Sequence, residues 1–235
     1  MALIEIIGDD KKTLIDDEFA NMILVRKAEI LFPQLGSRYL GSSTTFEWEA
    51  ADEGYPLVAM HSKFMCSHTR TARSGNKWIF GFTCDPSGVG RTAEIYIMQR
   101  PTPVPDAGGL VQLWDAGGNL VFDSNHSYMR VAKPMEMTMN NPTSASVNPD
   151  RKYAAIHCKL PYVFAIGPGG RPCGPTTFPV SESQSMCGTS MADPASVTSR
   201  SYSYYVRTYC VTTPPTTGTW RTMNGSCLLI DVTDQ

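Results

Sequence analysis

Charge is scarce in this chain. Asp, Glu, Lys and Arg make up 18% of its 235 residues and leave a formal net charge of −2. No basic field is present to hold a polyanionic backbone, which excludes nucleic-acid binding as the main task. Long apolar runs are missing too. None approaches the ~20 residues that a membrane-spanning helix needs, so no membrane insertion is expected. The opening residues, Met1 to Glu5, show no positive flank, long apolar stretch or small-residue cleavage site. Export through a signal peptide is therefore not expected, and the protein should stay in the cell that makes it or leave by lysis.

Ordered metal-ligand spacing is lacking as well. The seven cysteines are Cys66, Cys84, Cys158, Cys173, Cys187, Cys210 and Cys227. No two of them are spaced Cys-x-x-Cys, and an odd number leaves at least one unpaired. A zinc site would need His61, Cys66 or His68 to meet distant partners, with no second cluster spaced for it. Buried reduced thiols that fill core gaps are the expected state, with no metal and no cofactor.

What the chain does have is turn formers and short β-prone runs. Nineteen glycines and seventeen prolines punctuate it. Met22 to Val25, Thr44 to Trp48, Leu57 to His61, Lys77 to Phe82 and Ala93 to Met98 read as strands, and Phe19 to Leu31 shows no helical stripe. From Gly109 to Val131, two apolar runs flank Asp115-Ala116-Gly117-Gly118-Asn119, a loop suited to an antiparallel hairpin. Leu3 to Ile7 and Thr13 to Ile15 echo this hairpin faintly.

Met135, Met137 and Met139 alternate as in a strand, and a polar stretch follows. A boundary near 141–150 would divide residues 1–145 from 146–235. In the second part, Tyr153 to Cys158, Tyr162 to Ile166 and Ser201 to Thr212 read as strands. Gly167 to Pro194 reads as turn-rich, and Asn224-Gly225 as the tip of a closing hairpin. The expected fold class is all-β: two β-sandwich or jelly-roll-like modules with long loops.

Two motifs approach enzyme signatures. Gly188-Thr189-Ser190-Met191-Ala192-Asp193-Pro194 resembles the nucleophile motif of subtilisin-like serine proteases. That chemistry needs a helix opening at the serine, a histidine base and an aspartate orienter. Poor helix formers follow Pro194, and no histidine here is followed by Gly-Thr. Cys84 to Arg91 resembles the phosphate loop of cysteine phosphatases, but six residues separate the thiol from the arginine where convergence on a phosphate needs five. No catalytic residue is assigned, and no enzyme activity is expected.

The candidate interaction surface lies on the tyrosine-rich strand. By strict alternation, Tyr202 and Tyr204 share one face, while Tyr205, Arg207 and Tyr209 share the other. Tyr and Arg give large contact area at modest entropic cost, which suits protein or glycan recognition. Arg171, in the Gly167 to Gly174 stretch, belongs to an expected irregular arm.

The hairpin from Gly109 to Val131, with its Asn119-Leu120-Val121-Phe122-Asp123-Ser124 run before Tyr128 to Val131, resembles one in small virion proteins of tailed bacteriophages. The likeness covers roughly residues 3–25 and 109–160. It implies a virion structural protein of the tail-tip, baseplate or fibre-attachment type. Such a protein would assemble in the host cytoplasm, locate to the tail of the virion and contact other virion proteins. The resemblance further implies a homo-oligomer, with a trimer among the plausible forms. The first module would dock to the tail, and the second would face outward or meet a fibre. Two alternatives are an adhesin that contacts a host surface receptor directly and a head-decorating protein.

Overall fold

The computed structural model describes residues 5–7, 13–16, 21–36, 39–50, 54–102, 111–169 and 173–235. Strands account for almost all of their regular structure, and the fold is all-β, as the turn-rich composition requires. The first hairpin pairs β1 (Glu5–Ile7) with β2 (Thr13–Asp16). Next come β3 (Ile23–Leu31), β4 (Ser42–Glu49), β5 (Leu57–His61), β6 (Cys66–Ser74), β7 (Lys77–Cys84) and β8 (Thr92–Gln99). A second hairpin joins β9 (Gln112–Trp114) to β10 (Leu120–Asp123), as the Asp115-to-Asn119 loop predicts. Asp115 locks that loop by accepting the N–H groups of Gly117 and Asn119, each at 2.8 Å. The remaining strands are β11 (Arg130–Thr138), β12 (Thr143–Ser146), β13 (Tyr153–Lys159), β14 (Tyr162–Pro168), β15 (Phe178–Asp193), β16 (Ser196–Val211), β17 (Gly218–Thr222) and β18 (Asn224–Asp231).

Two large antiparallel sheets pack face to face. One runs β11-β18-β13-β5-β8-β3; the other runs β12-β16-β15-β6-β7-β4, with β14 and β17 attached beside β15. Two apolar clusters lie between them. Phe32, Met60, Phe80, Phe82, Ile95 and Ile97 lead the first, and Met135, Met137, Cys187, Val197, Cys227 and Leu229 the second. Where two modules were expected, one continuous sandwich is found. The 145/146 boundary passes through both sheets, because β13 and β18 insert between β11 and β5, and β15 and β16 between β12 and β6.

The six-stranded sheet also buries its outer face, and its two edge strands do this by the same device. In β3 the register slips between Leu24 and Arg26, and in β11 between Val131 and Lys133. Each extra residue reverses which side chains face the sandwich. Leu24 and Met129 therefore join Tyr96, Met98, Ile156 and Ile230 on the outer face, whereas Ile30 and Met135 join the sandwich core. At this end the two edges meet. Ile23 bridges Tyr128, the Leu24 N–H donates to Ser127 O at 2.8 Å, and the Met129 N–H donates to Met22 O at 2.8 Å. The sheet thus closes on itself locally, like one end of a small barrel.

Three further expectations are corrected. Asn224-Gly225 is not a hairpin tip. β17 pairs with β14, while β18 begins at Asn224 and pairs with β11 and β13. Glycine is needed at 225 for close approach, since a Cβ there would lie 2.0 Å from Lys159 O. Within 167–194, read as turn-rich, Phe178–Asp193 forms β15, a sixteen-residue strand, where a Ser/Thr-rich loop was expected; residues 170–172 of the expected arm lie outside the described residues. Lastly, Cys173 and Cys210 form a disulfide across 37 residues, while Cys66, Cys84, Cys187 and Cys227 are buried free thiols and Cys158 is exposed.

Candidate interaction surface

β15 and β16 form one long hairpin, and its two halves meet different environments. Near the hairpin turn, β15 pairs with β16 and, at Thr189, with Cys66 of β6, so this half belongs to the sandwich. Farther out, β14 replaces β6 beside β15, and β17 extends the sheet beyond β14. The result is a four-stranded extension, β17-β14-β15-β16, in which Val180 is the only buried residue of the outer half.

Register places its side chains. Trp220 lies opposite Phe164, Phe164 opposite Gln184, and Gln184 opposite Tyr205; likewise Ile166, Glu182 and Arg207 form a row. Directly opposed residues share a face. One face therefore carries Trp220, Phe164, Ile166, Tyr205, Arg207 and Tyr209. The other carries small residues, with Ser181, Ser183 and Ser185 along β15. Described residues of the β14–β15 connection lie on that small-residue face: Cys173 is bonded to Cys210 through the disulfide, and Gly169 packs by Thr208. On the aromatic face Trp220 and Arg207 stand exposed, whereas Val180, opposite Tyr209, is buried, and the Tyr39 ring packs 5.4 Å from that of Tyr205 at the root of the extension.

The proposed site residues separate accordingly. Tyr202 is buried, and its hydroxyl lies 2.9 Å from Ser67 Oγ and 2.8 Å from Thr83 Oγ1. Burial pushes its pKa well above the usual tyrosine range. Tyr202 is thus a core residue at the root of the extension. Tyr204 is half-buried, with its ring 5.6 Å from that of Tyr39. A register slip between Gln184 and Ser185 lets Tyr202 oppose Met186 and Tyr205 oppose Gln184, so strict alternation fails at Tyr204.

Tyr205, Arg207 and Tyr209 stand on the aromatic face as a group. Arg207 lies over the Tyr209 ring at 4.5 Å, and the Tyr209 hydroxyl donates to Glu182 Oε1 at 2.6 Å, which raises the phenol's pKa. Arg171 lies outside the described residues. Sequence reasoning missed Trp220, Phe164 and Ile166. Their alternation was visible, but only strand pairing brings them beside the tyrosines.

A cleft of about 650 Å³ lies elsewhere, lined by His61, Lys63, Glu94, Lys152, Tyr153 and Met191 among others. Most of its charge is already engaged: Lys152 pairs with Glu94, and His61 Nδ1 is 2.7 Å from Tyr153 O. No group of three metal-ligating side chains occurs among the described residues. Ser190 sits inside β15, with no helix opening from it, and the nearby His157 ring contacts Thr189 at 3.1 Å. Burial pushes the Cys84 thiol up to about 12, the reverse of what a phosphatase nucleophile needs.

Comparison with family models, curated proteins and solved structures finds no match.

Proposed function

We propose that the chain is a structural component of a tailed-bacteriophage virion, at the tail tip or baseplate, where it connects tail and fibres. It acts through contact with neighbouring subunits. The observation that carries this reading is the extension: a sheet that continues beyond the sandwich, with an aromatic face on which Trp220 and Arg207 stand exposed. Exposed aromatic side chains beside an arginine fit protein contact. The hairpin at Gln112 to Asp123 supplies the phage context through its likeness to small virion proteins. The Cys173–Cys210 disulfide suits the oxidising surroundings that a particle meets after lysis.

In this reading the sandwich docks to the tail body and the extension meets neighbours. Electron microscopy of particles labelled on this chain tests it. Label at the tail tip, in few copies, supports the proposal. Label spread over the head would mean head decoration, and unlabelled particles would remove the virion assignment altogether.

A further inference from the structure

We infer that the extension is completed by two further copies of this chain, which join edge to edge into a closed three-copy barrel with the aromatic faces inward. This deepens the structural reading above and rests on it. The two edges of the extension are both open. β12 covers β16 at Ser196–Ser199, and the segment 39–41 bonds to it at Tyr204 and Tyr205. From Val206 to Val211 the outer edge of β16 has no strand beside it among the described residues. The outer edge of β17, five residues long, has none either. Unpaired edges of matching length invite strand addition.

Direction and register fit a ring. The four strands are antiparallel in turn, so the two edge strands run in opposite senses. Rotation about an axis along the strands therefore sets β17 of one copy antiparallel to β16 of the next. Within a copy, Gly218 stands level with Arg207. To reach the open part of the edge, Gly218 must move four residues along and oppose Val211 of the neighbour. Trp220 then opposes Tyr209, and Arg221 opposes Thr208. The shift is even, so the aromatic face stays continuous around the ring.

Four residues of offset for every four strands tilts the strands by about 36°, given ~3.4 Å per residue and ~4.7 Å between strands. Barrels tilt by about 35–45°. The Gly169 N–H bond to Pro179 O, and the Leu40 N–H bond to Tyr204 O, fix which residues of β15 and β16 bond inward. With the aromatic face inside, the offset then follows the right-handed coil of β-strands.

The partner is a second copy and not an unlike protein because the face is self-sufficient in charge. Its acid, Glu182, and its base, Arg207, stand opposite each other in register. Two copies would make eight strands, whose interior ordinary side chains already fill. Trp220, Phe164, Tyr205 and Tyr209 from each copy need more room, and three copies are the smallest ring that gives it.

Light scattering and native mass spectrometry of the full chain test this, with a three-copy particle expected. Thr208→Arg should weaken association about tenfold or more, because it faces Arg221 of the next copy. Thr208→Arg combined with Arg221→Glu should restore it. Within one copy these two positions are separated by two strands, so rescue reports contact between copies. Far-UV circular dichroism confirms that each variant folds. A monomer, a copy number other than three, or indifference to Thr208→Arg would overturn the inference. Particle labelling is independent of these results: a trimer absent from particles defeats only the virion assignment, and a monomer present in them defeats only the barrel.

Discussion

The sandwich and the extension are built from the same two strands under opposite rules. In their inner halves, β15 and β16 place Cys187, Thr189, Met191, Val197 and Ser199 among buried residues. In their outer halves the same strands keep regular pairing but bury almost nothing except Val180. Backbone hydrogen bonding therefore does not distinguish the regions; apolar burial does. An isolated sheet without a covered face is marginal in water, so the outer half must draw its stability from cross-links and neighbours.

The sharpest way to test the contrast is to empty the core. Phe80 is fully buried in the first cluster. Phe80→Ala should cost about 3–5 kcal/mol through lost transfer energy and the cavity left behind. Trp220→Ala, at a residue 49% exposed, should leave the unfolding midpoint of the single copy almost unchanged. Urea titrations followed by circular dichroism compare the two. Equal losses would mean that the extension is as tightly packed as the sandwich.

Next in size is the disulfide. The Cys173–Cys210 link spans 37 residues and ties the outer end of β16 to the connection before β15. Cys173→Ser should cost about 2–4 kcal/mol, and the loss should fall on the extension. Hydrogen exchange should quicken in β14, β17 and the outer halves of β15 and β16, with the protection of β5, β7 and β8 unchanged. Uniform loss of protection would show one cooperative unit and end the distinction.

Much of the sandwich was legible in the sequence, because its strands carry their own signals. The β9–β10 hairpin followed from its Gly-rich loop, and Met135 and Met137 alternated before the structure placed them in the core. Burial then supplied the rest, as it did for the strand at Lys77–Cys84. The extension was less legible. Ser/Thr-rich β15 looks like a loop because its serines stand on the small-residue face, where pairing with β14 and β16 holds it. Asn224-Gly225 carried a strong turn signal, yet long-range pairing of β18 overrode it. The disulfide could not be read either, since seven cysteines without ordered spacing allow many pairings. Alternation assigned Tyr202 to a surface, and one extra residue at Tyr204 moved it into the core. Register, not composition, decided that residue's role.

Acid should act on the sandwich before the extension. His157 links the sheets: its Nδ1 accepts the His68 N–H at 3.1 Å, and its Nε2 lies 3.1 Å from Thr189 Oγ1. Burial lowers its pKa from 6.5 to about 3, with the neighbouring His68 adding to the effect. The folded state thus resists a proton that the unfolded chain accepts. Stability is complete above about 6.5 and declines as the pH falls toward 3. Glu94 acts lower: burial opposes its charge, but Lys152 and the Tyr96 hydroxyl outweigh this and hold it at about 2. Between pH 7 and 5 the melting temperature should fall, and His157→Asn should flatten that slope. An unchanged slope would remove His157 as the acid-sensitive link.

The smallest effect comes from one substitution made twice on one strand. Tyr202→Phe and Tyr209→Phe each remove a single hydroxyl from β16. At Tyr202 the hydroxyl is buried between Ser67 and Thr83, and its loss leaves polar partners stranded away from water. The cost should be about 1–2 kcal/mol. At Tyr209 the hydroxyl bonds Glu182 where water can replace it, and the single copy should lose clearly less stability than at Tyr202. Equilibrium unfolding of both variants in a Thr208→Arg background, where association is weakened, isolates the comparison. If Tyr209→Phe costs as much as Tyr202→Phe there, the outer half of β16 is buried within the single chain. The aromatic face would then have no need of neighbouring copies.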